Sequence, residues 1–205
     1  VVNLGGKAIW LHSSSGPRVT IINGENRRRG IIAISGEGAG TRIDGFSVIN
    51  GRTLEPGGGG GMHIVDSSPT VMNCVFRNNA VFEDGAGMSV WSGRPSLVGC
   101  VFENNRTNLG GGGLFNHESD PILRSCIFRG NSALGARETA RSTSGDLSVN
   151  FTVLDSIPVA RELEGESGAD IYAQLLAGGD FSAKGRGDFP NLQVSRCQLG
   201  QSDRT

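Results

Sequence analysis

The fold class this sequence predicts is all-β: a right-handed parallel β-helix, a solenoid with one coil about every 26 residues. Three observations predict it. Three segments align without a gap at a 26-residue period: Gly59-Gly-Gly-Met62 through Asn79, Gly85-Ala-Gly-Met88 through Asn105, and Gly111-Gly-Gly-Leu114 through Asn131. Glycine makes up 33 of 205 residues, well above the roughly 7% of ordinary chains. Lastly, the apolar runs are shorter than the ~10 residues of an ordinary helix and are bounded by Gly, Pro, Ser and Asn, so they read as strands.

Each repeat offers a short alternating run (Met62-His-Ile64, Met88-Ser-Val90), a turn marked by Pro69, Pro95 or Pro121, and a second run over residues 71–76 or their equivalents. Stacked coils put equivalent residues one strand spacing apart, about 4.8 Å, so like should lie on like. The spacing therefore predicts a core stack of Phe76, Phe102 and Phe128, with buried thiols at Cys74, Cys100 and Cys126 beside it. Asn79, Asn105 and Asn131 suit an amide ladder that pairs otherwise buried polar groups. Arg77, Glu103 and Arg129 alternate in sign on an outward column, as cross-strand pairing favours.

The rest of the chain is a diverged version of this unit. Strand-like runs at residues 8–11, 19–22, 31–34 and 43–49 give about two N-terminal coils, with Phe46 in the cysteine column. Beyond Asn131 the pattern erodes, although residues 147–154 resemble another second strand and residues 192–199, with Cys197, close a coil. Insertions fall at residues 135–145 and 173–189, and short helical turns are expected near 159–163 and 171–176. The organisation expected is one domain of roughly six to seven coils, part of a longer protein. It comprises diverged coils over 1–57, regular repeats over 58–134 and irregular coils over 135–205.

Phe76-Arg-Asn-Asn79, Phe102-Glu-Asn-Asn105 and Phe128-Arg-Gly-Asn131 resemble the Phe-x-x-Asn motif of chlamydial polymorphic membrane protein repeats. The companion Gly-Gly-Ala motif is matched only in part, because Gly61, Gly87 and Gly113 stand where that family has Ala. Residues 68–76 also resemble a recurring element of secreted bacterial β-helices of the pectate-lyase-like class. The resemblance is strong over 59–131 and weak over 7–51, and it implies an extracellular or cell-surface passenger or adhesin-like region. Folds host many functions, so it implies no particular activity.

Composition excludes some classes. A formal net charge of −1 argues against nucleic-acid binding, which favours a basic excess. No apolar run reaches the ~18 residues of a membrane helix, and no signal peptide is visible. Gly36-Glu-Gly-Ala-Gly40 and the 57–61 run lack the Lys-Ser/Thr of a phosphate loop. His12, His63 and His117 have no zinc-site spacing, so no metal is expected; Ca²⁺ enters only if the chain is a lyase.

One constellation carries the enzymatic alternative, a polysaccharide lyase or glycoside hydrolase. Asp66 and Glu118 share a column two coils apart, Arg94 and Asp120 are neighbours in another, and His117 lies beside them. Polar residues gather at solvated turns in any case, so the leading expectation is a non-catalytic binding platform or spacer. Its partners would be glycans or another protein, including a second copy met end to end. The tripeptide Arg186-Gly187-Asp188 resembles an integrin-recognition motif in a Gly-rich turn, and Asn105-Arg-Thr107 and Asn150-Phe-Thr152 match the N-glycosylation pattern.

Overall fold

The computed structural model describes residues 1–119 and 121–133, together with the backbone of strands at Phe181–Ala183, Leu192–Ser195 and Gln198–Leu199. About five coils stack in this part, and no helix occurs among the described residues. Sheet A is built from β1 (Val2–Asn3), β4 (Ile31–Ala33), β7 (Met62–Val65), β11 (Met88–Gly93) and β15 (Leu114–Ser119), in that order. Sheet B stacks β2 (Trp10–His12), β5 (Arg42–Asp44), β8 (Thr70–Met72), β12 (Ser96–Val98) and β16 (Ile122–Arg124). Sheet C stacks β3 (Ile21–Asn23), β6 (Ser47–Ile49), β9 (Val75–Arg77), β13 (Val101–Glu103) and β17 (Ile127–Arg129). The last three coils add a short sheet D from β10 (Ala80–Val81), β14 (Arg106–Thr107) and β18 (Ser132–Ala133).

All these pairings are parallel, and each coil visits A, B and C in turn. The register reproduces the expected columns: Phe102 pairs with Phe76 and Phe128, and Glu103 pairs with Arg77 and Arg129. Ser47 pairs with Val75, which sets Phe46 beside Cys74 as the sequence predicts and puts Val48 in the Phe column. The rings of Phe76 and Phe102 lie 5.1 Å apart, those of Phe102 and Phe128 4.7 Å apart, both near parallel and fully buried. Cys74, Cys100 and Cys126 are buried, and burial pushes the Cys74 thiol up to about 11.

The second run of each repeat is not one strand. It breaks between sheets B and C at Asn73, Gly99 and Ser125, whose φ angles are 49°, 62° and 53°, with Gly45 at 80° in the same column. A left-handed residue turns the chain there, and Asn and Gly are the types that tolerate it. Asn78, Asn104 and Gly130 repeat the device at the next corner, with φ of 55°, 53° and 63°.

The Gly column where the resembled family has Ala also has a steric reason. A Cβ on Gly87 would lie 2.3 Å from the Gly113 carbonyl oxygen and 3.1 Å from the Phe102 ring, and Gly61 meets the same obstacles one coil earlier. A methyl group does not fit where this backbone crosses the Phe and Asn stacks.

Beside β16 and β17 the next strands are β20 (Leu192–Ser195) and β21 (Gln198–Leu199), with β19 (Phe181–Ala183) antiparallel to β20. β20 and β21 therefore stand as the B and C strands of the following coil, within the 192–199 stretch expected to close one. Residues 147–154, the 135–145 insertion, the expected helical turns, Asn150, Cys197 and Asp120 lie outside the described residues, and of the 173–189 insertion only β19 is described.

Candidate functional site

Strand alternation decides what faces solvent on sheet A. Met62, Ile64, Met88, Val90, Leu114 and Asn116 point inward and are buried. The opposite face carries two columns, His63–Ser89–Phe115 and Val65–Trp91–His117. Just beyond it the chain turns toward sheet B through Asp66, Ser92 and Glu118, with φ of 48°, 52° and 48°.

Of the patch expected from sequence, Asp66 and Glu118 share the column at this repeated corner, Arg94 lies two residues further along its coil than Ser92, and His117 belongs to the Trp91 column. Asp66, Arg94 and Glu118 are exposed, and Ser92 separates the two carboxylates. His117 Nε2 lies 3.6 Å from Glu118 Oε1, and the Arg94 amide donates to Ser68 Oγ at 2.9 Å. No group of three or more His, Cys, Asp or Glu side chains fit to hold a metal occurs among the described residues. Arg186, Gly187 and Asp188 lie outside the described residues. Asn105 is fully buried in the ladder, which removes it as a glycosylation acceptor in the folded chain.

A second cluster on the same face was not singled out by sequence. The glycine loop at residues 57–61 folds over the first outward column, and a Cβ on Gly57 would lie 2.8 Å from the His63 ring. Under this loop His63 Nδ1 shares a 2.7 Å hydrogen bond with buried Ser89. Burial, reinforced by nearby Arg29, pulls the imidazole down to about 4. Arg29 is itself buried, donating from Nε to Gly58 O at 2.9 Å and from Nη2 to Pro56 O at 2.8 Å, and it pairs with Glu55. Burial lowers its guanidinium from the ordinary value while Glu55 opposes that shift.

Gly57 is the meeting point of this cluster. Its amide donates to Glu83 Oε2 at 2.7 Å and its carbonyl accepts from Trp91 Nε1 at 3.1 Å. The Trp91 ring lies 4.5 Å from His117 and 5.5 Å from Phe115, centroid to centroid. Asp84 accepts from the Gly110 amide at 2.7 Å. Burial raises its carboxyl from the usual range, Glu83 adds to that, and the Gly110 amide and His117 oppose it. The signal available in sequence was the alternation Met88-Ser-Val-Trp91, which already faces Trp91 outward. Glu83 and Asp84 escaped notice because loop residues have no column partners of like chemistry.

A family profile described as a right-handed β-helix region matches residues 7–157, most of the chain. The protein belongs to the right-handed β-helix family. The parallel stacking of sheets A, B and C agrees with that description, and the β-helix places the Trp91 cluster on the outer side of sheet A. Neither a curated protein nor a solved structure matches this β-helix.

Proposed function

We propose that this β-helix is a non-catalytic module of a secreted or cell-surface protein, whose stacked sheets serve as a rigid binding platform. One observation carries the reading: the most buried charged and amide groups are engaged in holding coils together rather than meeting in a cleft. Asn79, Asn105 and Asn131 bond one another, Glu37 accepts amides from two coils, and Arg29 holds the 57–61 loop. The resemblance to surface-protein repeats supports the location, and an adhesin-like role would follow from it.

The second reading is a polysaccharide lyase or glycoside hydrolase acting through Asp66, Arg94, His117, Glu118 and Asp120, with Ca²⁺ under the lyase form. Two strand spacings set the backbones of Asp66 and Glu118 about 10 Å apart, near the outer limit for an inverting carboxyl pair. Assays for reducing ends and unsaturated products over uronate and neutral polysaccharides separate the two readings. The expected outcome is no product. Turnover that disappears in Asp120→Ala with the fold retained would establish the enzyme instead.

A further inference from the structure

We propose that the outer face of sheet A around Trp91 binds an uncharged oligosaccharide, laid along the stack of coils. The proposal rests on the binding-platform reading and gives it a location and a ligand class.

Three features converge there. The first is an immobilised aromatic: Trp91 is partly exposed, and its indole is pinned by the Nε1 bond to Gly57 and by the flanking rings of His117 and Phe115. A rigid amphipathic ring offers an apolar surface to the C–H face of a sugar without losing side-chain freedom on binding. The second is a pair of fixed acceptors. Glu83 and Asp84 each commit one carboxylate oxygen to the amide of a neighbouring coil, Gly57 in one case and Gly110 in the other. Their second oxygens have no partner among the described residues, and such oxygens accept strongly from hydroxyl groups. The third is spacing. Coils recur about every 4.8 Å, close to the length of one hexose unit, so a glycan chain running across the strands meets the face in step.

Charge selects among glycans. Glu83 and Asp84 bring two carboxylates to this face, the corner beside it adds Asp66 and Glu118 against Arg94, and Arg29 is already engaged by Glu55 and by the Gly58 and Pro56 carbonyls. A uronate chain would set its own carboxylates against these; an uncharged chain does not.

The chain has two tryptophans, so Trp10→Phe leaves Trp91 as the single indole reporter. That protein is titrated with hexasaccharides of glucose in α- and β-linkage and of xylose, with hexagalacturonate as the anionic comparison. Emission and calorimetry are followed together. The expected result is that at least one uncharged hexasaccharide binds and shifts Trp91 emission. It should bind at least tenfold more weakly to Trp91→Ala, whose fold is checked by circular dichroism, and several-fold more weakly to Asp84→Asn. No uncharged ligand binding, binding that leaves Trp91 emission unmoved, or tighter binding of hexagalacturonate would each overturn the proposal. The emission readout needs no substitution on the face, so a poorly folded variant does not blunt the test. Binding elsewhere on the chain removes this site but leaves the platform reading intact, whereas cleavage of a bound hexasaccharide removes the platform reading itself.

Discussion

The regular repeats and the two N-terminal coils solve the same problem, pairing buried polar groups between stacked turns, by opposite means. In the repeats one device is copied. Asn79 Nδ2 donates to Asn105 Oδ1 at 2.9 Å and Asn105 Nδ2 to Asn131 Oδ1 at 2.8 Å, while the Asn79 and Asn105 amides reach the same oxygens at 3.1 Å. At the N-terminal end of the ladder the column holds Gly51, which donates its amide to Asn79 and extends nothing further. Unlike groups replace the ladder there. The Glu37 carboxylate, 1% exposed, accepts from the Gly6 amide at 2.8 Å, the Ser35 amide at 2.9 Å and Ser67 Oγ at 2.9 Å, clasping three coils. A repeated solution is uncharged and indifferent to pH. A unique one uses a charge and inherits its titration.

The largest effect should come from breaking the ladder at its middle. Asn105 accepts from the Asn79 amide and side chain and donates to Phe76 O and Asn131 Oδ1. Truncation leaves several buried groups unpaired at about 1–3 kcal/mol each, so Asn105→Ala should lose about 4 kcal/mol in urea unfolding. The loss should be equal at pH 5 and pH 7. A loss that varies with pH would show that the ladder is coupled to the charged clamps.

The seam between the two regions is His63, which has β4 of the diverged part on one side and Ser89 of the repeats on the other. Its imidazole sits near 4, below the ordinary 6.5, because burial and then Arg29 disfavour the cation. Protons bind the unfolded chain more readily in that interval, so stability is complete above about pH 6.5 and declines as pH falls toward 4, by up to about 3 kcal/mol. Urea midpoints between pH 7 and 4 should show this slope in the wild type and lose it in His63→Gln.

Glu37 should give a smaller effect at lower pH. Burial raises its carboxyl, but the amides of Ser35 and Gly6, with Ser67, outweigh burial and hold it below the usual carboxylate range. The clamp is therefore whole above the unfolded carboxyl's pKa and is lost as pH falls through the folded one. Glu37→Gln should cost about 2 kcal/mol at pH 7, and the gap from wild type should close on acidification. Faster hydrogen exchange at the Gly6 and Ser35 amides would locate the loss.

What the sequence made legible follows the same division. Columns of identical residues announce their contacts, and the Phe stack, the Asn ladder and the swap of Phe46 for Cys stand where the period puts them. Corners were harder, because Asn73, Gly99 and Ser125 differ in identity and share only tolerance of a left-handed backbone, so residues 71–76 read as one strand. The Asp66–Ser92–Glu118 column was legible as a column, but the corner geometry that spreads it over solvent was not. Trp91 joined to Glu83 through Gly57 was least legible of all: a strand residue, an acid and a glycine from an earlier loop meet only through folding. Glu37 has the same character, one acid in an irregular stretch that becomes a three-coil clasp.

The smallest effect tests whether the outward charge column belongs to the repeated design or merely accompanies it. Arg129 Nη2 pairs with Glu103 Oε2 at 3.0 Å, and Arg77 is in register on the other side of Glu103. Both arginines sit at the surface, where such pairs contribute about 0.2–1 kcal/mol and salt screens them. Glu103→Lys stacks three cations and should destabilise by about 1 kcal/mol at low salt, Glu103→Gln by about half of that. In 1 M NaCl, where the screening length is about 3 Å, both differences should nearly vanish. A cost that persists at high salt would assign the position to packing of the glutamate stem between its neighbours. The alternation of sign would then be a by-product of a column that, like the Phe and Asn stacks beside it, is held by fit between adjacent coils.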